Sequence, residues 1–75
     1  MDYVRLGALL RERRLEYRMT QRRLAEMVGI APWFYGQIER GERPVDLETL
    51  VRLAETLRLS IDMLVDLKGR RLYFD

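Results

Sequence analysis

The sequence predicts an all-α domain of five short helices, and three observations predict it. Capping residues stand just ahead of apolar-periodic segments: Asp2, Thr20, Asp46 and Ser60. The segments carry apolar side chains three and four apart, the spacing of one helical face. Gly29 and Gly41 close two of them, where a left-handed residue ends a helix. Strand signals are poor apart from Leu72-Tyr73-Phe74 near the end.

Asp2 caps a first helix over residues 3–17. Leu6, Leu10 and Tyr17 lie near one face, Leu9 and Arg13 beside it, and Glu12, Glu16 and Arg18 face out. Thr20 caps a second helix over 21–28, where Leu24 and Val28 share a face with the small Ala25 next to them. Arg23 stands three residues after Thr20 where a capping box needs Glu or Gln, so none forms. A third helix starts at Pro32, whose missing N–H costs nothing at the first helical position. Ala31, Tyr35 and Ile38 point inward, and Trp33, Gly36, Gln37 and Arg40 form the opposite stripe. Asp46 caps a fourth helix over 47–57, with Leu47, Leu50, Ala54 and Leu57 on one side. Ser60 caps a short fifth helix over 61–65, with Ile61, Leu64 and Val65 apolar, before Lys68-Gly69-Arg70-Arg71 breaks it.

Composition narrows the function classes. A chain of 75 residues fits one domain, assigned to 1–67, with a tail over 68–75. A core this small supplies only about 3–5 kcal/mol, so a partner copy or tight helix packing is expected to help. With 48% hydrophobic and 35% charged residues, the chain reads as globular and not disordered. No apolar run approaches the ~18 residues of a membrane span, and the start lacks the long apolar stretch of a signal peptide. Cysteine and histidine are absent, which removes disulfides, thiolate metal sites and the commonest general base. An enzyme would need a paired-carboxylate site, and no acidic residues are set in an evident pocket. No cofactor is implied. Of the 14 basic residues all but Lys68 are Arg. Arg forks match phosphate and guanine edges, but a GC-biased genome enriches Arg too, so the excess alone decides nothing.

The segment from Thr20 to Gly41 carries the function. It reads as helix, tight turn at Gly29, helix, with small Ala25 where the two must approach. Those are the requirements of a helix-turn-helix, in which the second helix of the pair enters the DNA major groove. The chain here resembles the lambda-repressor/Cro (Xre) type of regulator. The resemblance rests on Leu6-Gly7, Leu10-Arg11, Arg14, Thr20-Gln21, Leu24-Ala25, Gly29-Ile30, Ile38-Glu39-Arg40-Gly41, Leu47-Glu48-Thr49-Leu50, Leu53-Ala54, Leu57, Leu59-Ser60 and Leu64. Any one piece is weak; in order, over residues 6 to about 65, they make a strong signal for fold.

The resemblance implies roles. Gln21 touches a phosphate and braces the recognition helix. Arg14 and Glu39 form a partly buried salt bridge, which takes Arg14 out of the DNA-contacting set. Gln37 lies on the outward stripe, where its amide would pair with adenine. Arg40 and Arg43 flank the end of the third helix as phosphate contacts, with Arg22 and Arg11 weaker candidates. Pro32 and Phe34 complete the surface, Phe34 near the sugar-phosphate wall. The departures are Trp33 and Gly36 where relatives carry polar residues, Tyr35 where they carry an aliphatic one, Arg58 where they often carry Gly, and Pro44 one position early. Three readings stay open for Trp33: thymine methyls or deoxyriboses, a docked protein, or packing over Phe34 and the second helix. Gly36 either lets the backbone approach DNA or makes room beside the aromatics. Arg58 either adopts a left-handed conformation at a cost of ~1 kcal/mol, or the helix ends differently.

Leu59, Ile61, Met63, Val65 and Leu67, with Leu72, Tyr73 and Phe74 from the tail, exceed what a short fifth helix needs for its own core. They are assigned to a dimer surface. The expectation is therefore a cytoplasmic regulator, with no membrane association, that binds a palindromic operator in double-stranded DNA as a homodimer. No sensor domain fits, and antitoxins and restriction-modification controllers share this size and fold. The competing expectation is a protein-interaction module on the same fold, docking a partner on the Trp33 face.

Overall fold

The computed structural model describes residues 2–60. They form four helices: α1 (Tyr3–Glu16), α2 (Gln21–Val28), α3 (Pro32–Glu39) and α4 (Leu47–Leu57). No strand occurs among the described residues. The fifth helix, the domain boundary at residue 67 and the tail lie outside them, as do Ile61, Met63, Val65, Leu67, Leu72, Tyr73 and Phe74 of the expected dimer surface.

Three helices start with a side chain on an orphan backbone donor. Asp2 accepts from the Arg5 N–H at 3.0 Å, Thr20 from Arg23 at 3.0 Å and Asp46 from Thr49 at 3.1 Å. Helix α3 starts at Ala31 without such a bond, and Pro32 removes one donor that would need it.

All four helices end with one device. A residue at positive φ follows the last turn: Arg18, Gly29, Gly41 and Arg58. The N–H of the next residue reaches back five positions, as in Met19 to the Arg14 carbonyl at 3.1 Å and Leu59 to Ala54 at 2.8 Å. These are Schellman closures. Met19, Ile30 and Leu59 follow three of the four left-handed positions, and all three pack on the core. Arg58 takes the left-handed conformation outright, at φ 55° and ψ 42°. Arg58→Gly is expected to stabilise the fold by ~1 kcal/mol, because glycine has no Cβ penalty there. Thermal unfolding of the two proteins checks it; an unchanged or lower midpoint would show that Arg58 makes up the strain elsewhere.

The core is one cluster: Leu6, Leu10, Leu24, Ala25, Val28, Tyr35, Ile38, Val45, Leu50, Leu53, Ala54, Leu57 and Leu59. Helices α1 and α2 both pack against α3 and α4. Val45 tucks into this cluster and so anchors the loop between α3 and α4 that carries the early Pro44.

Four expectations need correction. Tyr17 lies beyond the end of α1 and is exposed, because the left-handed turn at Arg18 follows it. Leu47 is 73% exposed at the first position of α4, and the buried arc is Leu50, Leu53, Ala54 and Leu57. Leu59 is buried in the chain's own core and so is not free to form a dimer surface. Ala31 is only half-buried, since it precedes α3 instead of lying on its inner face.

One close approach fixes where α3 sits. Gly7 of α1 lies against the end of α3, and a Cβ on it would come 2.2 Å from the Glu39 carbonyl oxygen. At Gly41 a Cβ would meet the Val4 Cα at 2.7 Å. The first half of α1 therefore crosses the α3 terminus backbone to backbone.

Candidate nucleic-acid interface

Helix α3 has two sides. Tyr35 and Ile38 are fully buried, while Pro32 and Trp33 are exposed and Phe34 is half-buried. Trp33 is 65% exposed, a large apolar ring that no other element among the described residues buries. It meets Phe34 edge-on, with ring centroids 5.9 Å apart and planes at 77°. The Arg43 guanidinium comes over from the 40–46 loop and lies 4.5 Å from the Phe34 ring centre and 5.9 Å from that of Trp33. Both distances suit cation–π attraction. Trp33, Phe34 and Arg43 are thus one cluster at the head of α3.

Behind it stands a polar hub on Glu39. Arg14 grips the carboxylate with two parallel bonds of 2.9 Å, Nε to Oε2 and Nη2 to Oε1. Its Nη1 donates to the Met19 carbonyl at 2.7 Å, so the whole fork is used. Gln21 Nε2 donates to Glu39 Oε1 at 3.2 Å, and Arg11 reaches the same oxygen at 3.8 Å from a largely exposed position. The hub ties α1 and the start of α2 to the end of α3. The Tyr35 hydroxyl is buried beside it without a hydrogen bond of standard geometry, and burial first, then the Glu39 carboxylate, pushes its pKa up.

Burial works against the Glu39 charge, but the bonds from Arg14 and Gln21, with the Tyr35 hydroxyl beside them, outweigh it and hold the carboxyl below its ordinary pKa. A depressed acid stabilises the fold above its unfolded pKa, ~4.3, and that stability is lost as pH falls through the lower folded value. Unfolding free energy is therefore expected to drop below about pH 4.3, with a shallower drop in Glu39→Gln. Asp46, held low by its bonds to Thr49, contributes the same sign in both proteins. Equal acid slopes in the two proteins would show that Glu39 carries none of the dependence.

The remaining residues fall into place around these groups. Gln21 braces α3 through Glu39, and its Oε1 sits over Gly36. Gly36 is buried beneath the ends of Gln21 and Arg40, so it is not part of an open stripe. Arg40 is exposed and its Nε donates to Glu42 at 3.1 Å. Gln37 is half-buried and its Oε1 is turned inside without a partner, so the acceptor half of its amide is not presented to solvent. Arg22 is exposed at the start of α2. Sequence reasoning missed three contacts: Gly7 against α3, the Arg43 stack, and Arg52, whose Nη1 reaches the Val28 carbonyl at 3.5 Å near the end of α2. None has a local signal, since each depends on which helices come together. No helix among the described residues is long and apolar enough to cross a membrane.

Two short helices joined by a left-handed glycine, the second with an exposed face, define a helix-turn-helix protein. A helix-turn-helix family model matches residues 10–64. The chain belongs to the Xre-type helix-turn-helix family of transcriptional regulators, a DNA-binding family. It is 38% identical over 69 residues to an SPbeta prophage-derived uncharacterized HTH-type transcriptional regulator of Bacillus subtilis, covering 92% of this chain and 62% of that protein. It is 39% identical over 51 residues to the control protein C.SmaI of Serratia marcescens, covering 68% of this chain and 61% of that one. The chain thus spans about three-fifths of the length of these relatives. Among solved structures, the restriction-modification controller protein C.AhdI of Aeromonas hydrophila matches with a TM-score of 0.74 and 34% identity, over 77% of this chain and 88% of that one. The clp gene regulator ClgR of Corynebacterium glutamicum matches with a TM-score of 0.77 and 33% identity, over 81% and 65%.

Proposed function

We propose that the chain is a sequence-specific regulator, acting as a repressor in the cytoplasm, that inserts α3 into the major groove of a palindromic operator as a homodimer. The observation that carries this reading is the uncovered head of α3, with Trp33 65% exposed and Arg43 stacked beside it. The head of the helix is where a recognition helix meets base edges. Gln21, Arg22, Arg40 and Arg43 flank it as the phosphate contacts that set register. Arg40 would exchange Glu42 for a phosphate, and Gln37 would turn its amide outward. Two copies of α3 about one DNA turn apart, ~34 Å, would read the two half-sites.

Selection from a random duplex library at two salt concentrations tests this. The expected result is a palindromic motif whose affinity falls steeply with salt, because each neutralised phosphate releases counterions. Weak, motif-free binding that salt erases would sink the reading. The exposed Trp33 favours a second reading, a protein docked on the same face, since buried aromatic anchors dominate interface energies. That reading predicts the motif-free outcome.

A further inference from the structure

This inference rests on the DNA-binding reading and names what the helix selects. The exposed head of α3 offers almost no hydrogen-bonding side chain. Pro32 and Phe34 have none, and the indole of Trp33 has one donor only. Gln37 Oε1 is turned inside, Arg40 is engaged by Glu42, and Gln21 is engaged by Glu39. What the helix does present is apolar: an indole 65% exposed, braced edge-on by Phe34. The major groove carries one apolar group, the C5-methyl of thymine. Cytosine, guanine and adenine present polar edges, and an indole face pressed on those would strip their water and return nothing.

We infer that the Trp33–Phe34–Arg43 cluster is a thymine-methyl reader, selecting bases at the head of α3 by apolar contact, beside the hydrogen bonds that Gln37 makes once its amide turns outward. Phe34 fixes the ring orientation from one side. Arg43, stacked at 4.5 Å on Phe34 with its Nε buried, is a positioning residue whose charge faces the flanking phosphates. The cluster spans two adjacent residues of the helix and one of the loop. It therefore reads one or two neighbouring thymines in each half-site.

The test replaces each thymine of the selected duplex by deoxyuridine in turn. Uracil keeps O4 and every pairing group, so only the methyl is lost. At one or two positions per half-site affinity is expected to fall about fourfold, the worth of one buried methyl or methylene at ~0.8 kcal/mol. The drop disappears in Trp33→Ala, which is exposed and leaves the core untouched. Trp33 is the only tryptophan, so its emission gives a second reading on the unmutated protein. It is expected to shift to the blue on the thymine duplex, and less on the deoxyuridine one. A duplex bound with full sequence preference but indifferent to every methyl would overturn the inference while leaving the regulator reading intact. So would an equal deoxyuridine loss in Trp33→Ala, or an emission that does not move at saturation. No motif at all in the library would remove both.

Discussion

Arg14→Ala is expected to destabilise the domain by ~3–5 kcal/mol, the cost of removing one partner from a buried ion pair. A core this small supplies only about 3–5 kcal/mol, so the variant should be largely unfolded or close to it at 37 °C. The size follows from what is left behind. The Glu39 side chain is only 3% exposed, and Arg14 supplies two of its hydrogen bonds. Without them the carboxylate keeps Gln21 at 3.2 Å and a distant Arg11 at 3.8 Å. The Met19 carbonyl loses its donor as well, at the turn that leads into α2. Urea unfolding followed by circular dichroism checks the figure. Arg14→Lys should lie between, since an ammonium has no fork to match both carboxylate oxygens. Replacing both partners with apolar residues of similar volume should cost much less than Arg14→Ala, because no unpaired charge remains. A loss below ~1 kcal/mol in Arg14→Ala would place the pair with ordinary surface ion pairs, contrary to its burial.

The consequence for function runs through geometry. Glu39 is the last residue of α3, and the groups that grip it come from α1 and the first residue of α2. The hub therefore sets how α3 lies against its neighbours. The cluster at the other end of α3 inherits that orientation.

Helix positions were legible in the sequence because their signals are local. Asp2, Thr20 and Asp46 each bond the backbone three residues on, and Gly29 and Gly41 each take the positive φ that glycine permits. Arg18 and Arg58 take the same conformation without any such mark. That hid the end of α1, and Tyr17 was placed on a face that stops one residue before it. Leu47 fits the period of α4, but at the first helical position no neighbouring element among the described residues lies beside it. The buried arc begins at Leu50 and runs through Leu53. Contacts between distant residues stayed dark to periodicity. The Arg14–Glu39 pair spans 25 positions and was visible only through family resemblance. The cover that Gln21 and Arg40 put over Gly36, and the inward turn of the Gln37 oxygen, depend on three elements meeting and had no sequence signal.

Gly7→Ala should be the other severe substitution, with a sign opposite to helix propensity. In an isolated helix alanine would gain ~1 kcal/mol over glycine. Here the new methyl would stand 2.2 Å from the Glu39 carbonyl oxygen, 2.8 Å from the Glu39 carbonyl carbon and 2.8 Å from the Ile38 oxygen. All three are backbone atoms, so no rotamer change relieves the overlap. Helix α1 has to move off the end of α3, and that movement also stretches the Arg14–Glu39 bonds. Overpacking typically costs ~1–3 kcal/mol, and a clash with fixed backbone falls at the upper end, so the net effect is a loss of ~2 kcal/mol after the propensity gain. Ala8→Gly, one residue on and exposed, is the control: it should cost only the propensity difference of ~1 kcal/mol. Denaturant midpoints of the two variants separate the effects. A Gly7→Ala protein as stable as the parent would mean that α1 and α3 do not approach backbone to backbone, and that the hub on Glu39 is held at longer range. A destabilised Gly7→Ala that still folds at low temperature should bind DNA more weakly than Ala8→Gly at equal folded fraction, because the shift falls on the helix that carries Trp33.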